Sequence, residues 1–193
     1  MNILLTGASG FLGHHVVNLL EQENLKPSKA NGLYTPPSSQ VNCLKYEELY
    51  YYCHANRINC IIHLAAECGG IGINQRKPAD FFLNNAQMSL NALKVSHELN
   101  LKKLITVGTV CSYPKHTPVP FKEEDLWNGY PEETNAPYGL AKKNLLVGVQ
   151  AFAQQYNSNF IHLIPVNMYG EYDHFSLEDS HVIPAMLRKF HEA

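Results

Sequence analysis

A chain of 193 residues, 45% hydrophobic and 17% charged, carries enough apolar material for one globular domain with a sizeable core. Its net charge of −2 offers no electrostatic footprint for nucleic acid or an anionic membrane surface. No apolar run approaches the roughly 18 residues of a membrane-spanning helix. The N-terminal "MNILLTGASG" lacks the basic start of a leader peptide, so the expectation is a soluble, cytoplasmic protein.

Apolar runs alternate with helical patterns along the chain. "NILLT" (2–6) predicts a strand, and the following stretch places Leu12, Val16, Leu19 and Leu20 on one helical face. "NGLYT" (31–35) predicts a weak second strand and "INCIIHLAA" (58–66) a strong buried one. From Pro78, the residues Phe82, Ala86, Leu90 and Leu93 form a second apolar stripe. "KLITVGT" (103–109) predicts a strand, "YGLAKKNLLVGVQAFAQQY" (138–156) a helix, and "NFIHLIPVNMYG" (159–170) another strand. Strands separated by helix-length segments imply βαβ units, hence an α/β, doubly wound parallel sheet. Residues 114–137 interrupt this order with five prolines and little periodicity, which predicts an ordered loop near a ligand or a plain surface excursion.

Cysteines at 43, 53, 60, 68 and 111 are odd in number and lack a CxxC pair, a pattern of reduced thiols rather than of disulfides or zinc. The ten histidines form no metal-ligand spacing, so no metal is expected, and His14 and His15 read as solvated helix surface.

"TGASGFLG" sets Gly7, Gly10 and Gly13 between the first strand and an amphipathic helix. In that context glycine lets the backbone turn sharply and approach a pyrophosphate, which then rests on the positive helix N-terminus. NAD-selective folds often carry an acidic residue roughly 20 positions further on to hold the adenosine ribose. Here no carboxylate lies between Glu23 and Glu47, which leans towards NADP. No arginine stands there for a 2′-phosphate either, leaving Ser38, Ser39 and Lys29.

Two further groups carry chemistry. Tyr138 and Lys142 form YxxxK, whose i and i+4 side chains share a helix face. An ammonium beside a phenol favours the phenolate and should lower the tyrosine pKa from its reference of about 10. Thr109 and Cys111 end the fourth predicted strand, and an extended segment would project both to one side.

These motifs resemble the extended short-chain dehydrogenase/reductase family over essentially the whole chain. The marks are "TGASGFLG", "HLAA" (63–66) and "YGLAK" (138–142), with "AAECGGIGIN", "PADFFLNN", "VCSYPK", "NAPYGLAKK", "PVNMYG" and "SHVIPAMLRKFHEA" as more specific stretches. Within the family the likeness is to epimerase-reductases of GDP-linked 4-keto-6-deoxy sugars. It implies a Rossmann-like domain over residues 1–170, with 171–193 beginning a smaller substrate-binding domain that continues in the family. It implies NADPH as cofactor and a homodimer. The implied cofactor contacts are Gly7, Ala8, Ser9, Gly10, Phe11, Leu12 and Gly13 in the turn, then Val107, Gly108, Thr109 and Val110 at the fourth strand. Beyond these come Lys142, Pro165, Val166, Asn167, Met168 and His181. The implied catalytic set is Tyr138, Lys142, Thr109, Cys111 and His181, with Lys189 on the substrate. Cys111 and His181 would act as base and acid at the carbons beside the keto group, chemistry suited to a thiolate and an imidazole.

Departures from the family pattern are Thr109 for the commoner Ser, and Glu171 and His174 in "YGEYDHF". A 4,6-dehydratase would carry an acidic pair where Val110 and Cys111 stand, and a 4-epimerase would leave Cys111 and His181 without a task. A non-catalytic dinucleotide-binding module is the alternative from another class.

Overall fold

The computed structural model describes residues 1–23 and 32–193. Lys29 and the start of the second predicted strand, at Asn31, lie outside the described residues. Strands β1 (Ile3–Thr6), β2 (Leu33–Tyr34), β3 (Cys60–His63), β4 (Lys103–Val107) and β5 (Phe160–Leu163) form one parallel sheet in the order β2-β1-β3-β4-β5. Helices α1 (Phe11–Gln22), α2 (Tyr46–Ala55), α3 (Ile71–Arg76), α4 (Pro78–Glu98), α5 (Ala136–Tyr156) and α6 (Val182–Glu192) complete the described elements.

The period-two alternation of the strands divides their side chains between two faces. On one face Ile3, Leu5, Leu33 and Cys60 meet Val16, Val17 and Leu20 of α1. On the other, Leu4, Ile61, Leu104 and Phe160 meet Leu49 and Cys53 of α2, Met88, Leu93 and Val95 of α4, and Leu145 and Val149 of α5. The fold is thus Rossmann-like and doubly wound. The chain leaves β1 for β2 on one side and returns to β3 on the other. That reversal opens a crevice at the carboxyl ends of β1 and β3, where ligands of such sheets bind.

Two residues beyond the apolar row Leu4, Ile61, Leu104 and Phe160, the same face changes character. The strand register aligns Thr6 with His63, His63 with Thr106, and Thr106 with His162, a polar row across four strands. Thr6 Oγ1 lies 2.9 Å from His63 Nδ1, and Thr106 Oγ1 lies 2.9 Å from His162 Nδ1. Burial pushes the His63 imidazole down to about 3 and the His162 imidazole to about 4, and the Lys142 charge adds to both shifts.

Several elements differ from the sequence reading. Helix α1 begins at Phe11, so Gly13 falls in its first turn, and Leu19 points outward while Val17 packs inward. Helix α4 buries a different stripe from the expected one: Phe82 and Leu90 are exposed, while Phe81, Asn85, Met88, Ser89, Ala92 and Val95 are buried with Leu93. The inward stripe is masked by polar residues that bond backbone. Asn85 Nδ2 donates to the carbonyls of Phe81 and Glu67, and Asn91 Nδ2 to that of Cys43.

Residues 114–137 are ordered, with a 3₁₀ turn at Glu123–Trp127 and a bridge between Pro114 and Pro131. This loop is anchored on α5: the buried Lys143 donates to the Leu126 carbonyl and lies 4.4 Å from the centre of the Trp127 ring. His14 is half-buried rather than solvated, its ring stacked on Tyr172 at 4.6 Å. Among the described residues no helix is long and apolar enough to cross a membrane.

The two buried imidazoles predict acid sensitivity. Each binds a proton better in the unfolded chain, where its pKa is about 6.5, than in the fold. Stability is therefore full above pH 6.5 and falls as pH drops through about 4 towards 3. Thermal unfolding followed from pH 7 to pH 4 should show a falling midpoint, with a shallower slope in His162→Leu.

Candidate active site

The turn after β1 is shaped by two close approaches. Gly7 has φ +72°, a conformation that favours glycine, and a Cβ there would lie 2.7 Å from the Ala65 amide nitrogen. A Cβ on Gly13 would lie 2.2 Å from the Gly7 carbonyl oxygen. Helix α1 therefore starts hard against the turn. It begins without a side-chain cap, so its first-turn amides lack the usual capping oxygen at the crevice. Ala8, Ser9, Gly10, Phe11 and Leu12 complete this turn. Ser38 and Ser39 lie exposed in a turn after β2, whose carboxyl end borders the same crevice.

The site's second half is built where β4 meets α5. After Val107 and the buried Gly108, Thr109 is extended and the chain enters a 3₁₀ turn at Val110–Ser112. The expected extended segment with Thr109 and Cys111 side by side is thus not formed. Thr109 Oγ1 accepts the Cys111 amide at 3.1 Å, and that short cap turns the chain. The bond uses the oxygen as acceptor, and the hydroxyl proton stays available to another acceptor.

What joins Cys111 to the helix is an approach the sequence reading missed. A Cβ on Gly139 would lie 2.2 Å from the Cys111 carbonyl oxygen, and Ser112 Oγ donates to the Gly139 carbonyl at 2.8 Å. The turn lies flush on the first turn of α5, beside Tyr138. Phe81 of α4 supports that tyrosine edge-on, with ring centroids 6.4 Å apart. The glycine directly after the tyrosine in "YGLAK" was the available signal.

Tyr138 and Lys142 lie one turn apart on α5 and share Cys68 as a neighbour, with an electrostatic balance other than expected. Burial pushes the Tyr138 phenol far above its ordinary value, and the neighbouring Cys68 and Cys111 thiols push it the same way. The expected lowering by Lys142 is overturned because desolvation penalises the phenolate. Tyr138 is held as a proton donor. Lys142, 3% exposed, is lowered to about 8 by burial, opposed by Cys68.

Cys68 thus belongs to the site, although sequence reasoning gave it no role. It lies in the 64–70 loop, which α4 holds by two asparagines: the Glu67 amide donates to Asn85 Oδ1 at 3.0 Å, and Asn84 Nδ2 to Glu67 Oε1 at 2.8 Å. A cavity of about 510 Å³ opens between this loop and α4, lined by Cys68, Phe81 and Glu67 among others.

The remaining predicted residues follow β5. Pro165 is half-buried, Val166, Asn167 and Met168 are exposed, and the Gly108 amide bonds the Leu163 carbonyl at 2.7 Å beside them. The 170–175 segment then folds back over α1: Tyr172, with φ +67°, contacts His14 and His15, and His15 Nε2 lies 3.1 Å from the Glu171 carbonyl. The Gly70 amide bonds the Asp179 carbonyl at 2.8 Å, which brings His181, at the start of α6, beside the loop carrying Cys68. His181 is exposed, and no described hydrogen bond joins it to Cys111 or Tyr138. Lys189 lies two turns along α6, exposed and without a described contact to the site.

The glycine turn after β1, with Thr109 after β4 and Tyr138 and Lys142 on α5, makes a Rossmann-type arrangement at one end of the sheet. Residues 3–193 match the model of the NAD dependent epimerase/dehydratase family, and the chain belongs to that family. It is 35% identical over 191 residues to a GDP-L-fucose synthase of Sinorhizobium fredii, covering 99% of this chain and 59% of that protein. It is 34% identical to a GDP-L-colitose synthase of Yersinia pseudotuberculosis, covering 98% and 60%. A solved GDP-L-fucose synthetase from Naegleria fowleri bound to NADP superposes with a TM-score of 0.88 at 27% identity, covering 100% of this chain and 58% of that one. The chain therefore spans under two thirds of the length of the relatives it matches.

Gly139→Ala should drive the Cys111 turn off α5. Overpacking of this kind costs about 1–3 kcal/mol, read as a lower unfolding midpoint, whereas Ser112→Ala, which removes one bond, should cost about 1 kcal/mol.

Proposed function

We propose that the chain carries the dinucleotide-binding and catalytic part of a GDP-L-fucose synthase, converting GDP-4-keto-6-deoxy-D-mannose to GDP-L-fucose. Residues 1–170 form its dinucleotide-binding domain and 171–193 enter its substrate-binding domain. The observation that carries this reading is the seating of the Cys111 turn against Gly139, which sets a thiol beside the Tyr138 phenol. A plain reductase has no use for that thiol.

The crevice suits NADP. Gly7 and Gly13 let the turn lie against the 64–65 backbone and the start of α1, and the uncapped first-turn amides of α1 offer donors for a diphosphate. Ser38 and Ser39 would meet the 2′-phosphate, and Lys142 the nicotinamide ribose. When bound, NADPH supplies the hydride for C4.

The chain's own residues do the rest. The 4-keto group acidifies the C–H bonds at C3 and C5, and the Thr109 hydroxyl donates to the keto oxygen, stabilising the enolate. Cys111 and His181 remove and return protons on opposite faces of the sugar, inverting both centres. Tyr138, kept protonated by burial, gives its proton to the oxygen at C4. Lys189 contacts the substrate. Similarity to a GDP-L-fucose synthase and to a GDP-L-fucose synthetase bound to NADP supports the same assignment.

The homodimer is assigned to the outer face of α4 and α5. There Phe82, Leu83 and Leu90 of α4 and Val147 of α5 are exposed large apolar residues on two helices that pack together, of the kind an interface covers.

Protein mixed with NADPH and the keto sugar should lose nicotinamide absorbance and form GDP-fucose. Cofactor bound without consumption would leave only a binding module. Tyr138→Phe should lower turnover about 10²–10⁴-fold with NADPH binding retained. Cys111→Ser should slow solvent deuterium entry at C3 and C5 by about 10²-fold or more. Full exchange in that variant would remove the epimerase half of the reading. Leu90→Glu should halve the mass seen by light scattering with helicity unchanged.

A further inference from the structure

His181 carries one of the two proton-transfer roles assigned above, yet no described hydrogen bond holds its ring. It stands at the N-cap position of α6, and its side chain makes no capping bond there. The residues before it are tied among themselves. His174 Nε2 lies 3.0 Å from Asp179 Oδ1, Ser180 Oγ donates to the Ser176 carbonyl, and Arg188 of α6 donates to the Phe175 carbonyl at 3.1 Å. The 174–181 segment is thus one hydrogen-bonded piece, and its place is set where it meets the body of the protein.

That meeting point is the glycine stretch "GGIG" (69–72). The Gly70 amide donates to the Asp179 carbonyl at 2.8 Å, and a Cβ on Gly70 would lie 2.4 Å from the Ser180 carbonyl oxygen. The backbone directly before His181 therefore lies closer to Gly70 than any side chain would permit. Gly69 meets Phe81: a Cβ there would lie 4.0 Å from Phe81 Cζ, and Phe81 is the ring set edge-on to Tyr138. Phe81, Gly69, Gly70 and Ser180 make a continuous series of contacts from Tyr138 to the residue before His181.

Asn74 locks the glycines in this series. It is 3% exposed, and a buried amide is costly unless its hydrogens are bonded. Here Asn74 Nδ2 donates to the Gly69 carbonyl at 2.8 Å and to the Gly70 carbonyl at 3.0 Å. An aliphatic side chain would fill the position without that requirement, so the two bonds are what the amide adds. With its carbonyl on Asn74 and its amide on Asp179, Gly70 has both backbone groups engaged.

We propose that Asn74 is a positioning residue for His181: by fixing the Gly69–Gly70 backbone it fixes the Asp179–Ser180 backbone seated on it, and so the approach of the His181 ring to the sugar. An exposed ring with no bond of its own takes its position from its backbone, and a misplacement of about 1 Å is enough to slow a reaction severely. The inference rests on the reading of His181 as a proton carrier at the carbons beside the keto group.

The test compares Asn74→Ala, His181→Ala and the double variant of the 193-residue chain, with NADPH and the keto sugar in deuterated water. Asn74→Ala should slow deuterium entry at C3 and C5 by about 10–10²-fold, with the Kd for NADPH unchanged. On the residual rate of His181→Ala the same substitution should have no further effect, because it acts through the ring already removed. Asn74→Gln, which keeps both amide hydrogens on a longer arm, should recover part of the rate. Amide hydrogen exchange read by mass spectrometry needs no turnover: Asn74→Ala should exchange about tenfold faster across residues 178–183, with the strands of the sheet unchanged. Deuterium entry at the unaltered rate in Asn74→Ala, or losses that multiply in the double variant, overturns the proposal. Should Asn74→Ala not fold, Asn74→Ser, which can donate only one bond, is read by the same criteria. No deuterium entry in the unaltered protein is failure of the enzymatic reading instead, and unchanged amide protection of 178–183 in Asn74→Ala then overturns the seat by itself.

Discussion

The site hangs on how closely one turn lies against one helix. Cys111 presents its carbonyl to Gly139 at a distance no side chain would permit, and Ser112 ties the same turn to the Gly139 carbonyl. Everything reactive is referred to that contact. Thr109 starts the turn, Cys111 is in it, Tyr138 directly precedes the glycine, and Lys142 follows one helical turn later. On its far side α5 is secured by Lys143, which binds the 114–137 loop through Leu126 and Trp127. Consecutive lysines on one helix thus do separate work, one within the crevice and one anchoring the loop.

Burial sets the protonation states. A phenol and an ammonium removed from water both move towards neutrality, the phenol upward and the ammonium downward. The surroundings keep this from becoming a conflict of charges. Both nearby imidazoles are neutral across the physiological range, and the two cysteines near Tyr138 oppose its ionisation. The resulting phenol favours giving a proton over taking one.

The parallel sheet, the glycine turn and the YxxxK helix were legible in the sequence because each rests on local rules: period-two strands, close backbone approach, and i to i+4 spacing. Less legible was anything set by partners distant in sequence. The inward face of α4 was misread because Asn85, Ser89 and Asn91 occupy buried positions that a hydropathy count assigns to the surface. The geometry of Thr109 and Cys111 was misread because a side-chain cap, not strand propensity, decides the conformation of residues 110–112. The Tyr138 shift was given the wrong sign because spacing reveals a neighbouring charge but not the depth of burial. Cys68 and the Thr–His row were invisible for a related reason: register across a sheet is not written in any one strand.

The absence of a side chain at Gly108 binds two distant positions into one volume. His162 occupies the space that a Cβ there would need. Along any lineage of such chains, residues 108 and 162 are therefore not free to vary independently. A methyl group can enter at 108 only after the ring at 162 has been replaced by something shorter. The reverse substitution, a histidine arriving at 162, requires that the glycine already be in place. The order of those two changes is dictated by packing, whatever the selective value of either.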